Sequence, residues 1–574
     1  MTRTDSLYVQ VQWNRLTSIC EEQARALLRA SFSSMAGEAE DFGSAIFDRS
    51  GNLIAQAEST GTVSILFGLA QGIKHILRKY PAECLEPGDV LIGNDPWLFS
   101  GHKYDVTMAA PIFFHDKLVG LTATCLHVPD VGGLGFGPSA RDSYEEGVLI
   151  PVLKFLSRGN INKDLVDFLR ANVRSEDLVI GDLLAQVTAN EVAGRRVVAS
   201  LKEFGQETLD GISRGIRERT QSVFRERLGK LPQGDYEYET RVDVLDREIT
   251  MHCRLTHREG RIWVDFAGTS PQVERGVNCT LNVTGAFAVH ALKCSLLPDI
   301  PNNQGFFEAI EVTAPQGSIL NASWPAPVAA RHMITTFISS CVFGALAQMA
   351  PQSVIAESAS RVIIVARGIA SKGEKFVYTY PTRSGMGARP DKDGLSGHMF
   401  PGAVGTIPIE IVENNSPIFV LRKEFLADSG GPGRFRGGCD QLVEFKIRCD
   451  GEANLACMSE RVHFPACGMQ GGLPGSKSHF VINGTLSVDP KKTVSVTSDD
   501  VITCSGGGGG GFFSPVTRNP QRVLDDVLDG LVSVEAARDK YRVVIDSQAG
   551  VIDWHATARL REQQKEDHHE AQKP

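Results

Sequence analysis

Two apolar runs joined by a short polar link constrain this chain more than any other feature: VTMAAPIFF (106–114), HDK (115–117) and LVGLTATCL (118–126). β-Prone runs with so brief a connection read as an antiparallel hairpin. Each outer end carries an H-x-x-D pair, His102/Asp105 before the hairpin and His127/Asp130 after it. A three-residue turn centred on Asp116 sets Asp105 opposite His127 and His102 opposite Asp130. Opposed residues have Cβ atoms about 4.5–5.5 Å apart, so the hairpin can gather two imidazoles and up to two carboxylates. Such a set suits a borderline divalent ion such as Zn, Mn or Fe. Bound there, it would lower the pKa of water towards neutrality. Residues three apart on a strand point to opposite faces, so His102 and Asp105 converge only across irregular backbone. Gly101, Pro129, Gly132 and Gly133 permit that. The alternative is a set of loop polar groups bonding the backbone, and spacing alone leaves both open.

The rest of the chain supplies helices and further strand pairs. Apolar periodicity predicts helices over 8–35, 63–79, 177–230, 282–297, 333–350 and 521–540. A first hairpin is expected at 44–56, turning at Ser50-Gly51-Asn52, then strands over 236–267 and a mostly stranded, Gly-rich stretch from 355 to 510. The fold class is α+β: a multidomain chain mixing helices with antiparallel sheets and long Gly-rich loops. With 574 residues, we expect an N-terminal domain over 1–232 holding the candidate site. A middle α+β domain over 233–430, a Gly-rich, mostly β domain with a helix over 431–560 and a disordered tail at 561–574 follow. Met333 to Ala350 is uncharged but carries several Ser, Thr and Gly, so it reads as a core helix, not a membrane span. The net charge of −9 disfavours a nucleic-acid partner. Twelve Cys without a C-x-x-C pair, after an N-terminus lacking a signal-peptide core, read as reduced thiols of a cytoplasmic protein.

No phosphate-binding G-x-x-x-x-G-K-[ST], no G-x-S-x-G and no H-E-x-x-H occurs. Gly506 to Gly511 satisfy G-x-G-x-x-G trivially, but FFSPVTRNP follows where a dinucleotide site needs a helix, so the run reads as a flexible or tightly packed loop. Asp41 precedes the first hairpin and can cap a loop or add a carboxylate ligand. Glu145 and Glu146 follow a Gly-rich loop as a possible base or as surface acids. Asn172 and Arg174, with Asp182 and Gln186, can bind a substrate carboxylate or form an interface or capping network. Arg434 and Arg436 form an anion site or a solvated tight turn.

Blocks along nearly the whole chain resemble the hydantoinase B / 5-oxoprolinase family, which includes the B-type subunits of N-methylhydantoinase and caprolactamase and is related to acetone carboxylase alpha-type subunits. They include EDFGSAIFDRSGNLIAQ, GNDPWLFSGHKYDVTMAAPIF, HVPDVGG, EEGVLIP, ANVRSEDLVIGDLLAQVTAN, PNNQGFFEAIEVTAPQGSILNASWPAPVAAR, SGGPGRFRGG, SGGGGGG and DVLDGLVS. The family pattern NDPY-x-GGTHLPDVT reads NDPWLFSGHKYDVT here, with Gly101 for Thr and Lys103-Tyr104 for Leu-Pro. AHHADVGG reads LHVPDVGG, with Val128 for the second His. The resemblance implies a divalent metal, Zn or Mn, on Asp41, His102, Asp105 and His127, with Asp130 as orienter or base and Glu146 as a further candidate for either role. It also implies an actin-like A-type ATPase partner, in a hetero-oligomer such as A2B2. The partner would bind ATP and Mg and phosphorylate the amide oxygen of a hydantoin, oxoproline-like or lactam ring. The rivals are a subunit of an ATP-dependent ketone carboxylase and a non-catalytic scaffold.

Overall fold

The computed structural model describes residues 3–244, 247–402 and 405–571. Its first sheet holds β1 (Phe42–Asp48), β2 (Leu53–Gln56), β3 (Val90–Gly93), β4 (Asp105–Phe114), β5 (Lys117–His127), β6 (Leu153–Ser157) and β7 (Asn160–Ile161), ordered β2-β1-β5-β4-β3-β6-β7 and antiparallel throughout. Both faces are covered, which is why its central strands are apolar runs without clean alternation. Phe42, Ile46, Val106 and Met108 join the core of helices Arg3–Ala30 and Glu176–Glu203. Ala45, Phe47, Ala109 and Leu121 face helix Val63–Lys79.

The central hairpin reaches the expected register by another route. Its loop is the two residues His115 and Asp116, both left-handed (φ 49° and 58°), in place of a three-residue turn centred on Asp116. Two left-handed residues match the right-handed twist of the flanking strands. A bulge at Ile112/Phe113 leaves Val119 without an opposite residue and restores the pairing of Asp105 with His127.

A second sheet, ordered β11-β10-β9-β8, is built from β8 (Gly234–Val244), β9 (Arg247–Arg258), β10 (Arg261–Asp265) and β11 (Ile310–Thr313); only β10 and β11 run parallel. Helix His332–Met349 packs on β8, β9 and helix Leu281–Leu296. Among the described residues it alone has the length and apolarity of a membrane span, and the fold buries it. The apolar core runs unbroken across residues 232 and 233.

Beyond residue 360 lie β12 (Val362–Ile369), β13 (Lys375–Thr382), β14 (Ile418–Phe425), β15 (Gln441–Ile447), β16 (Glu452–Met458), β17 (His479–Ile482), β18 (Leu486–Ser487), β19 (Thr493–Thr497) and β20 (Ile502–Ser505). They form antiparallel sheets β13-β12-β16-β19 and β14-β15-β20-β17-β18, the first of which joins strands from both sides of residue 430. The glycine run leaves β20 as packed backbone. Gly508, Gly509, Gly510 and Gly511 donate to the carbonyls of Ser476, Gly438, Glu357 and Leu473. A Cβ on any of the four would lie 1.7, 2.1, 2.0 or 2.3 Å, respectively, from a neighbouring carbonyl oxygen.

Three expected helices are divided. The first ends at Ala30 and a short turn, Ser34–Gly37, follows behind the Ser33 cap; 177–230 separates into Glu176–Glu203 and Asp210–Leu228 after left-handed Gly205; 521–540 separates at left-handed Gly530 into Pro520–Leu528 and Val534–Asp539. Over residues 561–571 the expected disordered tail instead continues helix Trp554–Ala571, and residues 572–574 lie outside the described residues. Asp553 Oδ1 accepts from Ala556 N at its start, and the sequence is rich in Ala, Arg, Gln, Glu and Lys.

Candidate metal centre

β4 and β5 deliver Asp105 and His127 side by side, and the loop before β4 folds His102 back onto them. Gly101 makes this possible: its φ is +83°, and a Cβ there would sit 2.0 Å from Val283 Cγ2. His102 Nε2 lies 2.7 Å from Asp105 Oδ1, and His127 Nδ1 lies 3.1 Å from the same oxygen. Each of the three residues offers a ligand atom within 4.8 Å of the others, and all three residues are buried. Aromatic rings fix the imidazoles. Tyr104 stacks on His127 at 16°, and Phe136 meets His102 and His127 edge-on at 5.8 and 5.2 Å.

A relay of hydrogen bonds sets the tautomer of His102. Its Nδ1 is 3.1 Å from the carbonyl of Ala329, which can only accept, so Nδ1 carries the proton and Nε2 the lone pair. Glu146 Oε1 in turn accepts from the N–H groups of Val328 and Ala329 at 2.5 and 2.6 Å. Burial, then the nearby Arg331, lowers the His102 pKa to about 4 and keeps the ring neutral. For Asp105, burial opposes ionisation. His102, His127 and Arg331, whose Nη2 donates to Oδ2 at 2.8 Å, outweigh it and hold the carboxyl well below the usual range. Burial raises the Glu146 pKa to about 7 against the hydrogen bonds from Ala329 and Val328.

The other sequence candidates divide between this centre and the scaffold. Asp41 lines the same cavity outside the tight trio; its carbonyl accepts from His127 N, and burial raises its carboxyl pKa. Asp130 does not meet His102 as the strand register suggested. The ladder ends at Asp105 and His127, and beyond it Asp130 accepts from Gly132 N and from Arg174, through Arg174 Nη1 at 2.9 Å and its backbone N. Asn172 is exposed and donates to Phe168 O, while Arg174 Nη2 also reaches Gly133 O. Asp130 and Arg174 thus brace the loop after β5, while Asn172 bonds within its own helix. Asp182 holds the Phe32 and Ser33 amides, and Gln186 meets Thr124. Glu145 pairs with Arg141, and Arg436 is buried against Asp526 and Gly437 O.

Sequence reading did not single out Arg331, His332 or Arg361. They join Asp41 and the trio around a cavity of about 50 Å³, with Thr62, Ser64, Thr335 and Thr336. Both His332 ring nitrogens lack partners, and burial with the charges of Arg361 and Arg331 pushes its pKa well below the ordinary histidine value. The donor set fits a divalent ion. With its proton on Nδ1, the buried His102 Nε2 has none to give Asp105 Oδ1 at 2.7 Å and makes no hydrogen bond, so two lone pairs face each other, as ligand atoms of one cation would.

The profile of the Hydantoinase B/oxoprolinase family matches residues 5–515. The chain is 29% identical to the putative B-type D-/L-hydantoinase chain of a Pseudomonas species, over 98% of each sequence. Its fold matches the ATP-dependent caprolactamase of Pseudomonas jessenii with a TM-score of 0.85 and 25% identity, covering 98% of this chain and all of that one. It matches nucleotide-free acetone carboxylase with a TM-score of 0.86 and 19% identity, over 98% of this chain and 84% of the other, a likeness of fold.

Proposed function

The chain belongs to the hydantoinase B/oxoprolinase family, and from that premise we propose that it is the metal-bearing B-type subunit of an ATP-dependent amidohydrolase. Its substrate is a hydantoin, oxoproline-like or lactam ring. An A-type ATPase partner holds ATP and Mg and phosphorylates the amide oxygen; relatives named as subunits and an ATP-dependent caprolactamase support this division. The observation that carries the proposal is the buried His102–Asp105–His127 trio with its unpartnered Nε2.

His102, Asp105 and His127, with Asp41 beside them, would hold Zn or Mn. A divalent ion there supplies Lewis acidity and brings water near neutral pKa. Arg331 keeps Asp105 ionised and oriented, and Glu146 holds His102 through the Ala329 peptide. His332, neutral and unpartnered, offers one N–H and one lone pair to the bound ring. Phe136 and Tyr104 limit water around the imidazoles. Water adds to the O-phosphorylated carbon, the ring C–N bond breaks as nitrogen leaves protonated, and a second water converts the acyl phosphate to carboxylate and phosphate.

The test is the complex purified with its A-type partner, assayed for ATP turnover with hydantoin, 5-oxoproline, a lactam, and a ketone plus bicarbonate. Turnover stimulated by a cyclic amide and abolished by His127→Ala supports the proposal. Turnover that depends on bicarbonate assigns a carboxylase instead, and turnover that survives His127→Ala removes the metal assignment.

A further inference from the structure

The cavity wall carries a guanidinium, that of Arg361, which makes no ion pair among the described residues. Arg361 precedes β12 and Arg383 follows β13, just beyond the last pair of that ladder, Val362 with Thr382, and the charge of Arg361 acts on Arg383. Arg361 lines the cavity, and its buried Nε has no partner. Arg383 is 3% exposed, and its Nη1 is likewise buried without a partner. Neither guanidinium makes an ion pair among the described residues, although Asp41 lies close enough to act on both. Around the cavity, Asp41 and Asp105 face Arg331 and Arg361, and Arg383 lies near enough to Arg361 and Asp41 to feel both charges, so a divalent ion would leave an excess of positive charge.

The geometry points to an oxyanion subsite: Arg361, on the cavity wall, binds an anionic group of the substrate while its reacting carbon faces His102, Asp105 and His127, and the nearby Arg383 adds its charge. This rests on the reading of the site as a cyclic-amide hydrolase centre and narrows its substrate class. Two sources share the chemistry, the phosphoryl group of the activated intermediate and a carboxylate borne by the ring. Two guanidinium forks suit either, through paired N–H···O contacts.

Calorimetric titration of the full-length, metal-loaded chain separates them, with orthophosphate in one arm and 5-oxoproline in the other. No ATP, partner or turnover is involved, so a failure of the hydrolase reading leaves this test standing. Arg361→Gln and Arg383→Gln should each weaken binding about tenfold or more at unchanged metal content. Loss confined to phosphate assigns the phosphoryl group, loss confined to 5-oxoproline assigns a ring carboxylate, and loss of both makes the subsite serve the two in turn. The charge-preserving variants Arg361→Lys and Arg383→Lys serve if the Gln variants do not fold, and should retain part of the affinity. Wild-type protein that binds neither anion, variants that bind as tightly as wild type, or binding that vanishes on chelation of the metal with both arginines intact would overturn the subsite.

Discussion

Glu146 never touches the candidate ligand trio, yet it reaches His102 through a single residue, Ala329, and its proton is the most readable titration in the site. Its pKa rises from 4.5 to about 7 because burial penalises the charged carboxylate. Between those values the folded chain keeps a proton that the unfolded chain has released. Stability therefore falls as pH rises through this window, by about 3 kcal/mol at most, and levels off above it. Glu146→Gln keeps an oxygen for the Val328 and Ala329 amides and removes the titration. Denaturant unfolding from pH 4.5 to 7 should show the slope in wild type and a flatter profile in the variant; equal slopes would contradict this. Gly101→Ala is the second residue-scale prediction. The Cβ clash with Val283 and the strained φ should swing His102 away and lower metal affinity about 10–100-fold in a chelator competition; unchanged affinity would show that the glycine does not set the ligand. His102, Asp105 and His127 were legible because they flank one hairpin. Arg331 was not, because it meets Asp105 from 226 residues away and no local pattern announces such a contact.

At the scale of the element, the central hairpin shows how a correct register can follow from the wrong turn. The two apolar runs and their short link show which ends meet, but the two-residue loop and the compensating bulge have no distinct signature in HDK. The glycine run shows the reverse. Composition left open whether Gly506 to Gly511 were loose or packed, and only the carbonyls closing in from four other segments decide it. Gly509→Ala places a Cβ 2.1 Å from Met386 O, with only backbone around it to yield. It should cost about 3 kcal/mol or more, or prevent folding. Gly137→Ala, with no atom within 4 Å, should shift the thermal midpoint little. Comparable midpoints for the two variants would refute the packed-backbone description.

For the molecule as a whole, the site draws on widely separated parts of the chain: Asp41 and the trio come from the first sheet and the loops leading into it, Arg331 and His332 from the start of the buried helix, and Arg361 from the edge of β12. The C-terminal helix is tied to the segment that forms a separate small core around Val523, Tyr541 and Ile545, by Thr557, which accepts from Val544 N, and by Arg561, which donates to the carbonyls of Arg518 and Tyr541. Truncation after Asp553 should lower the melting temperature of that unit and leave metal content unchanged; loss of metal would tie the tail to the site. Helix-forming residues alone did not reveal this anchoring, since the contacts that hold the helix are made to distant backbone.

The metal centre is tested most directly by the metal content of the full-length chain, measured by elemental analysis for wild type, His102→Ala and His127→Ala. About one divalent ion per wild-type chain is expected, with a large loss in both variants that keep their fold. A folded wild-type chain that takes up no divalent ion, or histidine variants that hold it as well as wild type, would contradict the assignment.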